Sequence, residues 1–288
     1  MPVPRDPGKN ELPSTYFVRD KEKREELRRL TVQGHMLTMA MGGPLPEQAD
    51  PTIFRNVLDM ACGPGDWVID AASTYPTMSL VGIDISQLMI NYASAQAGIQ
   101  RLTDRVAFRV MDVLGTLDFP NASFDLVNMR LGVSFMRTWD WPKLLNESWR
   151  ILRPGGTLRL TDSVATQESN SAAVTELFEM FMHALFQAGH LFTHESTGLT
   201  AHLARLLTQY GYQQVQTRPY ALEFRAGTPE GQTYYEDLKH FHTIRPFLLK
   251  WGIRGEDFEK VYQQALKDAQ QSDFWLIWHL LSAWGIKS

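Results

Sequence analysis

The chain has 288 residues, of which 44% are hydrophobic, a formal net charge of −4 and a single cysteine. This length can hold one large domain with insertions, or a core with a cap, and the slight negative charge argues against a nucleic-acid-binding surface. One cysteine excludes a disulfide within the chain, as expected for a cytoplasmic protein, and no histidine or cysteine cluster has the spacing of a metal site.

Residues 1–19 are rich in proline, and we expect an extended segment with Tyr16 as an anchor. The first residues lack the apolar stretch of a signal peptide, and the longest apolar run, 274–286, is too short to span a membrane. Asp20 is predicted to cap a helix that ends at Gly42-Gly43-Pro44.

Residues 57–67 predict a short buried strand, a glycine turn and then a helix from Asp66 to about Thr74. Glycine leaves the backbone bare, so that a ligand can lie against the main chain at the start of the helix. A dinucleotide-binding fingerprint would need a further glycine three residues after Gly65, and Val68 occupies that position. The loop therefore favours a cofactor without phosphates.

Acidic residues follow the next two predicted strands. Residues 79–84 end in Asp84, 19 residues after Gly65, where the second strand of a βαβ unit delivers a carboxylate to a ribose. A helix is predicted over 86–97, and a third strand over 105–111 leads to Asp112. Either aspartate alone could be a helix cap, but the ordered set of glycine loop and two acids is hard to obtain by chance.

Three more elements follow in order. A fourth strand is predicted over 123–130 and an amphipathic helix over 141–152. The segment Arg153-Pro154-Gly155-Gly156 has the composition of a turn, and a fifth strand is predicted over 157–161.

The pattern Asp59…Cys62-Gly63-x-Gly65, the two acids and the helix–Arg-Pro-Gly-Gly–strand order resemble the class I S-adenosylmethionine (SAM)-dependent methyltransferases over about residues 56–162. The resemblance implies an α/β fold: a Rossmann-like, seven-stranded, mostly parallel sheet with one antiparallel strand, helices on both faces, and a helical lid. It implies SAM as the cofactor and S-adenosylhomocysteine as the product.

The same resemblance implies which residues touch the cofactor, with Asp112 on the adenine amino group and Val113 against the ring. The implied cofactor-binding residues are Asp59, Ala61, Cys62, Gly63, Gly65, Asp84, Ile85, Met89, Asp112, Val113, Asn128 and Tyr16. The N-terminal helix would cover the cofactor, as in family members, or pack on the sheet or another subunit. Both interpretations are left open.

After the fifth strand, helices are predicted over 171–188 and 197–210 and a sixth strand over 212–224. Two helices, 229–250 and 255–270, are predicted in an insertion, and 274–286 is the antiparallel strand that the fold requires or a terminal helix. We expect the chain to be organised as an extension with a covering helix (1–55), a SAM-binding core (56–226) with a lid segment (165–195), a helical lid insertion (227–272) and a last core strand (273–288).

A nucleophile that carries a proton needs a base for methyl transfer, and histidine suits this role near neutral pH. The candidate catalytic residues are His183, His190 and His194 in the lid segment and Asp162 at the end of the fifth strand. Aromatic residues and methionines in the lid suit an apolar pocket, although helix packing alone also requires many of them.

The sequence thus predicts a SAM-dependent methyltransferase acting on carbon or oxygen of an apolar small molecule, of indole, terpenoid, quinone or phenol type, in secondary metabolism. The alternative is a SAM-binding protein of the same fold with cyclase chemistry or a regulatory role. The expected partner is a small-molecule acceptor, with no nucleic acid, no metal and no membrane span, and a homo-oligomer is left open.

Overall fold

A computed structural model describes residues 23–288, so Tyr16 and Asp20 lie outside the described residues. The helices are α1 (Lys23–Ala40), α2 (Asp66–Thr74), α3 (Gln87–Ile99), α4 (Trp141–Ile151), α5 (Ala172–Gln187), α6 (Leu203–Gln209), α7 (Pro229–Lys239), α8 (Arg245–Lys250) and α9 (Gly255–Asp268). The strands are β1 (Asn56–Met60), β2 (Ser79–Asp84), β3 (Val106–Val110), β4 (Phe124–Arg130), β5 (Leu152–Ser163), β6 (Glu168–Ser169), β7 (Gln213–Arg225) and β8 (Trp275–Ile286). Among these residues no helix is both long and apolar enough to cross a membrane.

The strands form one mixed sheet. The order is β3-β2-β1-β4-β5-β8, with β6 and β7 both paired to β8. Strands β1 to β5 run parallel, whereas β8 is antiparallel to β5 and β7. The carboxyl ends of the central parallel strands therefore meet at one edge, which is where open α/β sheets bind their ligands.

Side chains that alternate along β1 enter two separate cores. Val57 belongs to the same buried cluster as Trp67 and Val68 of α2, whereas Leu58 belongs to the cluster that contains Leu144 of α4. Because successive strand residues point to opposite faces, this alternation shows that helices cover both faces of the sheet. The Rossmann-like, mostly parallel sheet that the sequence predicted is confirmed.

The last strand is confirmed as well, since Trp275–Ile286 is a strand between β5 and β7. The predicted strand number was seven, and the structure adds an eighth short one: Glu168–Ser169 pairs with Ile277 and Leu276 at the start of β8. A strand of two residues has no periodicity, so a sequence pattern does not reveal it.

Three predicted boundaries were wrong. The helix predicted over 229–250 is α7, a 3-10 turn (Phe241–Ile244) and α8, and Pro246, which has no N–H to continue a helix, lies in the first turn of α8. The turn predicted at 153–156 lies inside β5, with Gly155 at φ +79°. The helix predicted over 197–210 is a 3-10 turn followed by α6.

Helix α1 links the insertion to the sheet. Near its start, the buried Arg29 bonds Glu26 at 2.7 Å and Asp237 of α7 at 3.2 Å. Near its end, Thr38 accepts a hydrogen bond from Arg130 at the end of β4. Buried polar contacts thus hold α1 across the edge of the sheet at which β1 and β4 end.

Candidate cofactor-binding cleft

The loop between β1 and α2 contains three residues with left-handed backbone: Ala61 (φ +53°), Gly63 (φ +53°) and Gly65 (φ +84°). A Cβ on Gly65 would lie 2.7 Å from the Phe108 ring, so Gly65 is required for packing as well as for its φ. A Cβ on Gly63 would meet nothing within 4 Å. The main chain of Gly63 is therefore the part of the loop that is open to a ligand.

Asp84 ties the end of β2 to this loop. Its Oδ2 accepts the Gly63 N–H at 3.0 Å and its Oδ1 accepts the Ser86 N–H at 2.8 Å. Ser86 in turn caps α3 by accepting the N–H of Met89, which is buried. The carboxylate is partly exposed, and each of its oxygens retains a lone pair for a further donor.

The end of β3 lies beside Asp84. The Met111 N–H donates to the Asp84 carbonyl at 2.9 Å, and Asp112, which is partly exposed, accepts the Leu114 N–H at 2.9 Å. Val113 is buried, whereas Ile85 after β2 is partly exposed. The predicted acids thus follow neighbouring strands, as the βαβ order requires.

Asp59 and Asn128 lie beneath the loop in a buried polar row across three strands. Asn128 Nδ2 donates to Asp59 Oδ1 at 2.7 Å, and Arg159 Nη1 donates to Asn128 Oδ1 at 2.8 Å. Arg159 continues the row to Glu47, with Nε 2.6 Å from Oε1. Asn128 is fully buried and its amide bonds protein groups at both ends, so it supports Asp59 from below.

Four side chains around the loop keep solvent-accessible surface, although burial is the largest cause of the pKa shift of each. These residues are Cys62, Asp66, Asp84 and Arg130. Side chains that lie deep inside a protein and yet remain accessible line a cleft. These four partly exposed residues lie around the carboxyl ends of β1, β2 and β4, and we call this region the strand-end cleft.

Charges of both signs line the strand-end cleft. Burial raises the pKa of Asp66 and that of the more buried Asp59 to about 7, partly offset by the charge of Arg130. Burial raises the pKa of the Cys62 thiol, which is therefore not a thiolate at neutral pH. Cys62 is therefore a small side chain that lines the cleft and not a nucleophile.

No sequence pattern predicted Arg130, Asp66, Thr38 or Glu47 as residues of the site. Arg130 is the last residue of β4, and the rule that drew attention to acids at strand ends applies equally to a cation there. Glu47 and Thr38 lie outside the strands and carry no motif. Only the fold brings them to the sheet.

Two predicted catalytic residues contact the same turn after β4, residues 131–136. Asp162 Oδ2 accepts the Val133 N–H at 3.0 Å, and burial raises the pKa of Asp162 to about 7. His190 is buried, and burial together with the charge of Arg137 lowers its pKa to about 4. The backbone carbonyls of Val133 and Met136 have the opposite, smaller effect on this pKa. Its Nδ1 has no hydrogen-bond partner in the described part of the chain.

The other two candidates form a separate pair. The rings of His183 and His194 lie 5.6 Å apart, edge to face, and the exposed His194 also lies 4.9 Å from Phe186. Residues 23–288 contain no group of histidine, cysteine or acidic residues able to hold a metal ion.

The strand-end cleft fits a nucleoside that bears an amino-acid end. The partly exposed Asp84 and Asp112 offer acceptors to a ribose diol and to an amino group, and Gly63 leaves its main chain bare. The loop is not built for a pyrophosphate, since Val68 occupies the position of the third glycine and is fully buried.

Residues 57–156 match the family described as "Methyltransferase domain". This part of the chain is a methyltransferase domain of the class I, SAM-dependent family, and SAM is the cofactor of that family.

Curated relatives and a solved structure agree with this domain. The chain is 36% identical to a demethylmenaquinone methyltransferase of Deinococcus radiodurans over 48% of its own length and 54% of that protein. It is 28% identical to the demethylmenaquinone methyltransferase of Lactiplantibacillus plantarum over 65% of its own length and 72% of that protein. The crystal structure of YcgJ from Bacillus subtilis superposes with a TM-score of 0.53 at 15% identity, covering 89% of this chain and 99% of that one, and shows the shared fold. The chain spans only about half the length of the Deinococcus relative.

Proposed function

We propose that this protein transfers the methyl group of SAM to carbon or oxygen of an apolar small molecule. The observation that carries the proposal is the strand-end cleft, in which the bare Gly63 main chain lies beside the Asp84 carboxylate within a methyltransferase domain. The acceptor class is an indole, terpenoid, quinone or phenol of secondary metabolism, and the protein works in the cytoplasm.

The proposed cofactor contacts follow from the cleft. Asp84 accepts the ribose hydroxyls, Asp112 accepts the adenine amino group with Val113 against the ring, and Gly63 faces the amino-acid end. SAM supplies a methyl group already activated on a sulfonium, so the protein's task is to align it and to exclude water, which can lower a barrier by about 7–11 kcal/mol. Tyr16, outside the described residues, is proposed as a further contact.

Aromatic rings of the lid support an apolar acceptor. Phe241 in the insertion lies 5.1 Å from Phe178 and 5.7 Å from Phe181 of α5, and Phe247 lies 6.3 Å from Phe181. We propose that 165–195 and 227–272 form this lid over a core of 56–226 and 273–288, with residues 1–55 as the covering extension. An apolar pocket lined by such a cluster of phenyl rings would suit a flat, apolar molecule and leave few partners for a charged one.

The turn after β4 connects the lid to the cleft. We propose that Asp162 positions this turn through the N–H of Val133, while His190, neutral at pH 7, is the proton acceptor that the lid brings to the same turn. The pair His183–His194 is the alternative base. The relatives' name favours a quinone-type acceptor, because demethylmenaquinone methyltransferases are named for a quinone.

The test is incubation with methyl-deuterated SAM and a panel of phenols, indoles, quinones and terpenoids, with products followed by mass spectrometry. We expect one acceptor class to gain the labelled methyl group, with fragmentation that places it on carbon or oxygen. The Asp84→Asn variant is the matched control and should give little product. SAM binding with no labelled product from any acceptor would contradict the proposal and favour a SAM-binding protein with cyclase chemistry or a regulatory role.

A further inference from the structure

Arg130 lies in the strand-end cleft without an ion-pair partner among the described residues. It ends β4, beside the end of β1, because Met129 pairs with Met60. Its Nη1 donates to Thr38 Oγ1 of α1 at 2.9 Å, which fixes the guanidinium. The side chain keeps accessible surface, so the remaining N–H groups are available to a ligand in the cleft.

Two acidic residues act electrostatically on this cation without bonding it. Asp59 and Asp66 are the acids whose charge favours the protonated form of Arg130 most directly, yet neither forms an ion pair with it in the described part of the chain. Asp66 keeps accessible surface, whereas Asp59 is held below by Asn128. Within residues 23–288 the cleft therefore presents an arginine that has no ion-pair partner, with the carboxyl group of Asp66 near it.

This pattern is the electrostatic complement of a free α-amino acid, in which a carboxylate and an ammonium group are bonded to the same carbon atom. Of the parts of SAM, only the methionine end carries both charges. The bare Gly63 main chain and Asp66 belong to the loop between β1 and α2 and to the start of that helix, so a zwitterion between Arg130 and this loop would meet both signs of charge.

We propose that Arg130 binds the carboxylate of the methionine end of SAM, with Asp66 facing the ammonium group. The proposal rests on SAM as the cofactor of the proposed function, but on no acceptor. It makes Arg130 the residue by which the cleft distinguishes SAM from adenine nucleosides without a carboxylate. It also gives α1 a defined role, since Thr38 orients the guanidinium.

The test compares SAM with decarboxylated SAM, which keeps the adenosine, the sulfonium and the amine and lacks only the carboxylate. We expect calorimetric titration to show that the wild-type protein binds SAM about 10- to 100-fold more tightly, the range of a hydrogen bond between charged groups. Arg130→Met should bind both ligands with similar affinity, because the group that reads the carboxylate is gone. Arg130→Lys should recover part of the preference, since it keeps the charge but not the planar fork.

The matched control is Arg225→Met, an exposed arginine on β7, which should keep the wild-type preference. Equal wild-type affinity for the two ligands would overturn the proposal, and so would an Arg130→Met variant that still prefers SAM. Should Arg130→Met not fold, Arg130→Gln removes the charge with a polar side chain, and the same two outcomes apply. A protein that prefers SAM through Arg130 yet yields no labelled product would contradict the methyl transfer and leave the assignment of Arg130 intact.

Discussion

His190 and Asp162 reach the same turn from different elements, and burial shifts their pKa values in opposite directions. The pKa of His190 is lowered to about 4, so the imidazole is neutral in the native protein above that pH. The pKa of Asp162 is raised to about 7, so the carboxyl group retains its proton far above its usual range. At both residues the charged form is the one that the fold disfavours.

The lowered pKa of His190 predicts a pH-dependent stability. Between about pH 4 and 6.5 the unfolded chain binds a proton at this residue and the native protein does not, so the free energy of unfolding rises with pH in this window. The contribution is complete above pH 6.5 and is lost as the pH falls towards 4. We expect His190→Gln to flatten this dependence by at most about 3 kcal/mol.

Urea denaturation of both proteins at a series of pH values from 4 to 7 would measure this effect. Asp162 has the opposite sign, because the native state holds its proton up to about pH 7. That residue is the same in both proteins, so its effect cancels in their difference. A difference that does not vary with pH would contradict a buried neutral His190.

At the scale of elements, the loop between β1 and α2 divides its two glycines between packing and ligand binding. Gly65 lies against Phe108 of β3 and Ala93 of α3, so this position joins three elements. Gly63 faces open space. The sequence shows two similar glycines, and only the packing of neighbouring elements separates their roles.

This division predicts different effects of the same substitution. Gly65→Ala combines a left-handed backbone with a clash against Phe108, and should lower the free energy of unfolding by about 2–4 kcal/mol. Gly63→Ala carries only the backbone cost, about 1 kcal/mol, but its methyl group would enter the cleft. Thermal unfolding with and without SAM would test both: Gly63→Ala should fold and gain little stability from SAM. Equal stability losses in the two variants, or full stabilisation of Gly63→Ala by SAM, would contradict the assignment.

The parallel strands and their order were predictable because each is a short apolar run flanked by glycine or acidic residues. The buried row from Asp59 through Asn128 and Arg159 was not predictable. These residues lie on different strands, and their contacts depend on the register of the sheet, which no local pattern encodes. The interruption near Pro246 of the helix predicted over 229–250 was predictable in principle, since proline ends a run of helical hydrogen bonds.

At the scale of the whole molecule, the acids of the candidate site were predictable from their order and the cation was not. Gly63, Asp84 and Asp112 follow the strands of one βαβ series, so spacing alone placed them at one edge. Arg130 is identified as a site residue only by the three-dimensional structure, in which α1 crosses that edge and Thr38 accepts a hydrogen bond from Arg130. The contact between α1 and the lid was likewise not predictable from local sequence, because it joins Arg29 to Asp237 of α7, which are 208 residues apart in sequence.

The central claim is that the strand-end cleft binds SAM through Asp84. Calorimetric titration of SAM into the wild-type protein and Asp84→Asn tests it most directly. We predict one bound SAM per wild-type chain and a loss of about tenfold or more in affinity for the variant, because an amide offers a ribose diol one acceptor oxygen instead of two. No SAM binding by the wild-type protein, or equal affinity in a folded Asp84→Asn variant, would contradict the account.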